Sequence, residues 1–269
     1  MSTTPAAPVP AGSLPSARPR AGARTLAVTS GKGGVGKTFV TANLAAALAA
    51  QGQRVLVLDA DLGLANLDVV LNLHPKLTLH DVFTDKATLE QAILPAPGGF
   101  SVLLAGSGMV EYSRLTPEVR DKLLDIVEQV KPRFDWVLLD TGAGISDVVL
   151  FAVAMAHDVL VVATPEPTSL TDAYATIKVL ATQQGRRQVG LVVNQAGRPG
   201  EGKLICGQLQ QVLQRFVGAG QPFKLELQGE VKVDATVRQA VLKRQLLLDH
   251  YPGSDAAQGI KALAAKLLA

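Results

Sequence analysis

Residues 25–51 read TLAVTSGKGGVGKTFVTANLAAALAAQ. The opening TLAVTS (25–30) predicts a strand, and KTFVTANLAAALAAQ (37–51) predicts a helix. Between them GKGGVGKT (31–38) fits G-x-x-x-x-G-K-[ST] in the strand–loop–helix setting that pattern requires. Gly31, Gly33, Gly34 and Gly36 let the backbone N–H groups, that of Val35 among them, turn inward with no Cβ in the way. The helix start adds its positive dipole end. Lys37 then reaches β and γ phosphates, and the Thr38 hydroxyl ligates Mg²⁺. The stretch therefore predicts a site for a nucleoside triphosphate.

Working outward, RVLVLD (54–59), FSVLLAG (100–106), WVLLD (136–140), DVLVVAT (158–164), QVGLVVN (188–194) and a weaker FKLEL (223–227) predict further strands. Helical stretches such as TPEVRDKLLDIVEQV (116–130) and SLTDAYATIKVLATQQ (169–184) alternate with them. Strands apolar on both faces and alternating with helices imply an α/β fold, a doubly wound, mostly parallel sheet with helices on both faces. No second core and no internal repeat is visible, so residues 25–269 read as a single domain. Residues 1–24, rich in Pro and Ala and without apolar periodicity, read as a disordered tail.

In such a sheet ligands sit beyond the carboxyl ends of the strands. Asp59 ends one strand, Asp61 follows two residues on, and Asp140 ends another. Carboxylates beside a triphosphate need an intervening cation, so Asp59 and Asp140 are candidate Mg²⁺ residues, directly or through the water shell. Asp61 is placed to orient an attacking water. A helix cap would explain one acid of the Asp59/Asp61 pair but hardly both. Thr141–Gly144 reads as a flexible loop able to sense a γ-phosphate, and Trp136 as core filling.

Lys32 is a surplus charge. Two ammonium groups aimed at one phosphate from the same loop repel each other. A better use for Lys32 is the nucleotide of a second, facing subunit, where it acts as the lysine version of an arginine finger.

KGGVGKT with its additional lysine resembles the deviant Walker A motif of the MinD/ParA group of ATPases. DADLGLANLD, DTGAGIS and TPEPTSLTDAYATIK resemble the flagellar-number ATPases called FlhG or FleN, over roughly residues 25–178. The resemblance implies a MinD-like P-loop NTPase fold and an ATP-dependent homodimer with slow, dimer-dependent ATP hydrolysis. In it Lys32 crosses to the partner's phosphates and Asp61 holds the catalytic water. It implies that Glu166 reaches the partner's nucleotide, that Asn194 reads adenine, and that the backbone around Val231–Asp234 adds a second adenine contact. Implied partners are an FlhF-type GTPase, flagellar basal-body switch proteins or a flagellar transcription activator. Implied placement is cytoplasmic, peripheral at the cell pole or membrane.

The rest of the composition narrows the alternatives. Six cations precede Asp59, the first acid, so a net charge of +3 leaves the remainder at −3. That is a poor surface for nucleic acid, with only Arg186-Arg187 and Lys243-Arg244 as basic pairs in the body. ParA-like chromosome or plasmid partitioning and MinD-like division-site selection are the alternative outputs of the same machinery. Cys206 is the single cysteine and His74, His80, His157 and His250 are scattered, which argues against an iron–sulfur carrier. The longest apolar run, residues 148–156, is too short to span a bilayer, and no secretory apolar stretch opens the chain. The C-terminal GSDAAQGIKALAAKLLA places Ile260, Leu263, Leu267 and Leu268 at helical spacing. Without an aromatic anchor or broad basic face it reads as a core helix, not a membrane helix.

Overall fold

A computed structural model describes residues 22–63, 66–106, 115–217 and 222–269. Its sheet contains β1 (Arg24–Ser30), β2 (Val55–Ala60), β3 (Leu94–Pro95), β4 (Ser101–Leu103), β5 (Trp136–Ala143), β6 (Asp158–Ala163), β7 (Gln188–Ala196) and β8 (Lys224–Lys232). Their spatial order is β3-β4-β2-β5-β1-β6-β7-β8. Every neighbouring pair is parallel except β3 with β4. The expected architecture is present. β1 lies between β5 and β6, so the loop that follows it opens over the middle of the sheet.

One face is covered by α1 (Lys37–Ala49), α2 (Leu67–Leu71), α9 (Ala235–Leu242), α10 (Leu247–His250) and α11 (Asp255–Leu268). The other carries α3 (Leu79–Phe83), α4 (Leu89–Ala92), α5 (Pro117–Val130), α6 (Asp147–Ala154), α7 (Pro167–Gln183) and α8 (Glu201–Val217). α1 is buried almost all round, and its alanines let it lie close to both the strands and α11. α5 begins where Thr116 caps it, its hydroxyl accepting from the Val119 N–H, with Pro117 in the first turn. α11 buries Ile260, Leu263 and Leu267 against the sheet, as a core helix does, whereas Leu268 stays partly exposed.

Three local expectations change. β1 takes in Arg24, and Ala23 before it is buried with its N–H on the Lys131 carbonyl, so ordered structure begins before residue 25. The rest of the 1–24 stretch lies outside the described residues. The run at 100–106 forms strand only over Ser101–Leu103, because the Leu104 carbonyl turns away to accept the Leu79 N–H at the start of α3. The weak strand at 223–227 instead runs on to Lys232.

Arg54 forks onto Asp135 just ahead of β2 and β5, at 3.1 and 2.9 Å. That bidentate pair fixes the register of the two strands. At their far ends Asp59 then stands opposite Asp140. Trp136, the core filler, is buried under the Arg24 guanidinium, 4.9 Å from the ring centre.

Candidate functional site

A cavity of about 590 Å³ opens at the carboxyl ends of β1, β2 and β5. Its wall is the loop from Gly33 to Thr38, the β2 exit from Ala60 to Gly63, and Gly142–Ala143. Gly34 and Gly36 have φ of 78° and 88°, where only glycine is comfortable. Gly31 is required for another reason: a Cβ there would lie 2.3 Å from the backbone of Asp172 in α7. At Gly33 a Cβ would meet nothing within 4 Å, so this chain's own packing does not demand glycine there. α1 starts at Lys37 with no side-chain cap and no acid in its first turn. Its first N–H groups thus lack the usual carboxylate or hydroxyl partner, which suits an anion.

Beneath the loop sits a buried charge cluster. The Lys37 ammonium donates to Asp140 Oδ1 at 3.0 Å, and the Thr41 hydroxyl donates to the same oxygen at 2.9 Å. Lys37 is 9% exposed, Asp140 2% and Asp59 1%. Asp59 Oδ1 accepts the Asp61 N–H at 3.2 Å, while its buried Oδ2 has no partner. Burial first, and then the neighbouring Asp140 charge, push the Asp59 carboxyl well above the usual carboxylate range. One lysine cannot balance two buried carboxylates. The unpartnered Asp59 oxygen and Asp140 stand opposite each other across β2 and β5, and the half-buried Thr38 lines the cavity; oxygen donors of this kind are the type Mg²⁺ takes. Thr41 was not foreseen from the sequence. Its signal is the spacing, one helical turn after Lys37 on the same face.

This arrangement makes Asp59 a stability liability in the nucleotide-free protein. Asp59→Asn is expected to raise the melting temperature at pH 8, without metal or nucleotide, by about 2–5 °C, since it removes an uncompensated buried carboxylate. The same variant should lose Mg²⁺-dependent tightening of nucleotide binding. Differential scanning fluorimetry with and without Mg²⁺ reads both, and an unchanged or lower melting temperature would count against the charge cluster described here.

Asp61 lines the cavity beside Gly142, where a Cβ would come within 3.4 Å of Asp61 Oδ1. Leu64 and Ala65 of the same stretch lie outside the described residues. The segment at 141–144 is not a flexible loop. β5 continues through Ala143, the Thr141 hydroxyl donates to the Val28 carbonyl, and only Gly144 turns, with its N–H on Ser30 O at 2.8 Å.

Lys32 does not line the cavity. Its ammonium sits on the outer side of the loop and donates to Glu166 Oε2 at 3.0 Å and to Thr168 Oγ1 at 2.9 Å, at the start of α7. The two residues expected to cross to a partner are therefore paired with each other, both partly exposed. Asn194, the expected adenine reader, is buried, and its amide donates to the Val35 carbonyl of the loop at 2.8 Å. The strand register sets Val231 beside it, and Asp234 caps α9 by accepting the Thr236 N–H. Arg186 spends its guanidinium on the carbonyls of Val153, Ala156 and His157, closing the end of α6. One member of the Arg186-Arg187 pair is thereby consumed in structure, while Arg187 stays exposed.

Among the described residues no helix is long and apolar enough to cross a membrane.

Comparison with known proteins agrees with this geometry. The family model ParA, described as "NUBPL iron-transfer P-loop NTPase", matches residues 22–268. The antiactivator FleN of Pseudomonas aeruginosa is 41% identical over 244 residues, 91% of this chain and 86% of that protein. The flagellum site-determining protein YlxH of Helicobacter pylori is 31% identical over 244 residues, 90% of this chain and 81% of that one. Among solved structures, the septum site-determining protein MinD of Pyrococcus horikoshii, complexed with Mg-ADP, superimposes with a TM-score of 0.74 at 28% identity. That match covers 91% of this chain and 96% of the other. A chain of the Aquifex aeolicus MinC:MinD cell division protein complex gives 0.73 at 27% identity, with 91% and 96% covered.

Proposed function

Because the chain belongs to the ParA family of P-loop NTPases, we propose that it is a Mg-ATP-dependent dimerising switch that hydrolyses ATP slowly and regulates flagellar number and placement. The observation that carries the dimerising part is the position of Lys32: outside the cavity that Lys37 serves, partly exposed, and held by a surface ion pair with Glu166 and a hydrogen bond to Thr168. Such a pair is worth roughly 0–1 kcal/mol. A facing triphosphate offers the ammonium more negative charge at closer quarters than one half-solvated carboxylate does. Sequence identity to FleN and YlxH supports the flagellar output.

Within one protomer, the loop N–H groups and the α1 N-terminus hold the phosphates. Lys37 exchanges Asp140 for the β and γ phosphate oxygens. Thr38, Asp59 and Asp140 would hold Mg²⁺ directly or through its water shell, and the ion would supply positive charge against the phosphate oxygens. Asp61, at the cavity wall, accepts a proton from the attacking water and orients it. Lys32 and Glu166 of the facing copy complete the site. The partners that fit this role are an FlhF-type GTPase, basal-body switch proteins or a flagellar transcription activator. Iron transfer does not carry over from the family description. A cluster shared between two copies needs at least two thiolates from each, and Cys206 is buried with its thiol on the Leu225 carbonyl.

Deleting the gene tests the output. The expected result is a several-fold rise in flagella per cell, or flagella at abnormal positions, counted by electron microscopy. Normal flagellation would overturn the flagellar role and leave division-site selection or partitioning as the output.

A further inference from the structure

Among the described residues, two side chains tie down carbonyls of the phosphate loop ahead of α1. Ser30 Oγ donates to the Lys32 carbonyl at 3.0 Å, a local bond. The second arrives from 159 residues away: Asn194, near the end of β7, donates its amide N–H to the Val35 carbonyl at 2.8 Å. Asn194 is 5% exposed, and its Nδ2 stands 2.4 Å from where a Cβ on Gly36 would be. Gly36 is the residue that caps α1, in the left-handed region at φ 88° and without a side-chain cap bond. The amide thus fills the space behind the Gly36 bend of the loop and satisfies the carbonyl next to it.

The geometry points to Asn194 as a positioning residue that holds the loop in its anion-binding form, whatever base the ligand carries. This rests on the reading of the loop as a nucleotide site and adds to it. A base-reading amide must meet the ring edge. A buried amide bonded to the loop acts on the phosphates instead, by keeping the Gly36 bend closed so that the first N–H groups of α1 stay aimed at them. Adenine contact becomes a secondary role for any acceptor capacity the side chain has left.

The two roles separate in the nucleotide-free full-length protein. Hydrogen exchange, followed by mass spectrometry over residues 31–41, should speed up about tenfold in Asn194→Ala and in Asn194→Asp, the worth of one lost buried hydrogen bond. Exchange in α11, across the molecule, should not change. In the presence of Mg²⁺, affinities for ATP and for inosine triphosphate, which lacks the adenine amino group, should fall by the same factor. Unchanged loop exchange in both variants would overturn the assignment. So would loss of ATP affinity with inosine triphosphate affinity retained, which is the signature of a base reader. Should Asn194→Ala accelerate exchange everywhere, the equally sized Asp variant decides, and global acceleration in both also overturns the assignment. A wild-type protein that binds neither nucleotide would sink the ATPase reading while leaving the exchange result to stand by itself.

Discussion

Asp61→Ala is expected to bind Mg-ATP within about threefold of the wild type and to turn it over at least about 100-fold more slowly, the range lost when a water-orienting acid is removed. The carboxylate lines the cavity beside Gly142 but is not part of the buried Lys37–Asp140–Asp59 cluster, so binding survives its loss. A switch that assembles on ATP and disassembles on hydrolysis then sticks in its assembled state. Size-exclusion chromatography with ATP should show a species of twice the 28.1 kDa chain mass, stable for hours, where the wild type reverts as ATP is consumed. A variant that stays monomeric at saturating ATP would refute the sandwich mechanism.

Lys32→Ala carries the other large effect. Turnover in the assembled state should fall on the order of 10³-fold, the low end for loss of a cationic finger supplied by a partner. ATP-dependent self-association should weaken with it, while binding of ATP to the monomer stays within about threefold, because Lys32 does not line the cavity. Fluorescent-nucleotide titration separates this from a general loop defect. Lys37→Ala, by contrast, should abolish binding outright. A Lys32 variant with wild-type turnover and wild-type association would leave an ordinary nucleotide pocket and remove the case for pairing.

Much of this was legible in the sequence because it follows from local chemistry. A glycine-rich turn between a strand and a helix has few uses, and acids at strand ends on a parallel sheet fall where ligands sit. The residues that escaped notice act through the fold. Thr41 matters only once α1 is laid over β5, and Thr168 only once the start of α7 is brought to Lys32. Thr141–Gly144 looked like a flexible loop because its glycines and small side chains signal turns, yet β5 runs on through Ala143. Pairing of this stretch with β1 and β2 overrides that signal. The family resemblance singled out Asn194, but what it bonds depends on β7 ending behind the phosphate loop, which no local pattern states.

Gly31 has a further consequence. Its Cα rests against the main chain of α7 at Asp172–Ala173 so closely that even a methyl group cannot be interposed, and the residue that caps α7, Glu166, and Thr168 in its first turn anchor Lys32. No compressible side chain cushions that junction. A sideways or axial displacement of the α7 rod must be transmitted to the entrance of the loop, and a binding protein that grips the rod's outer surface would have mechanical purchase on fuel handling without touching the fuel.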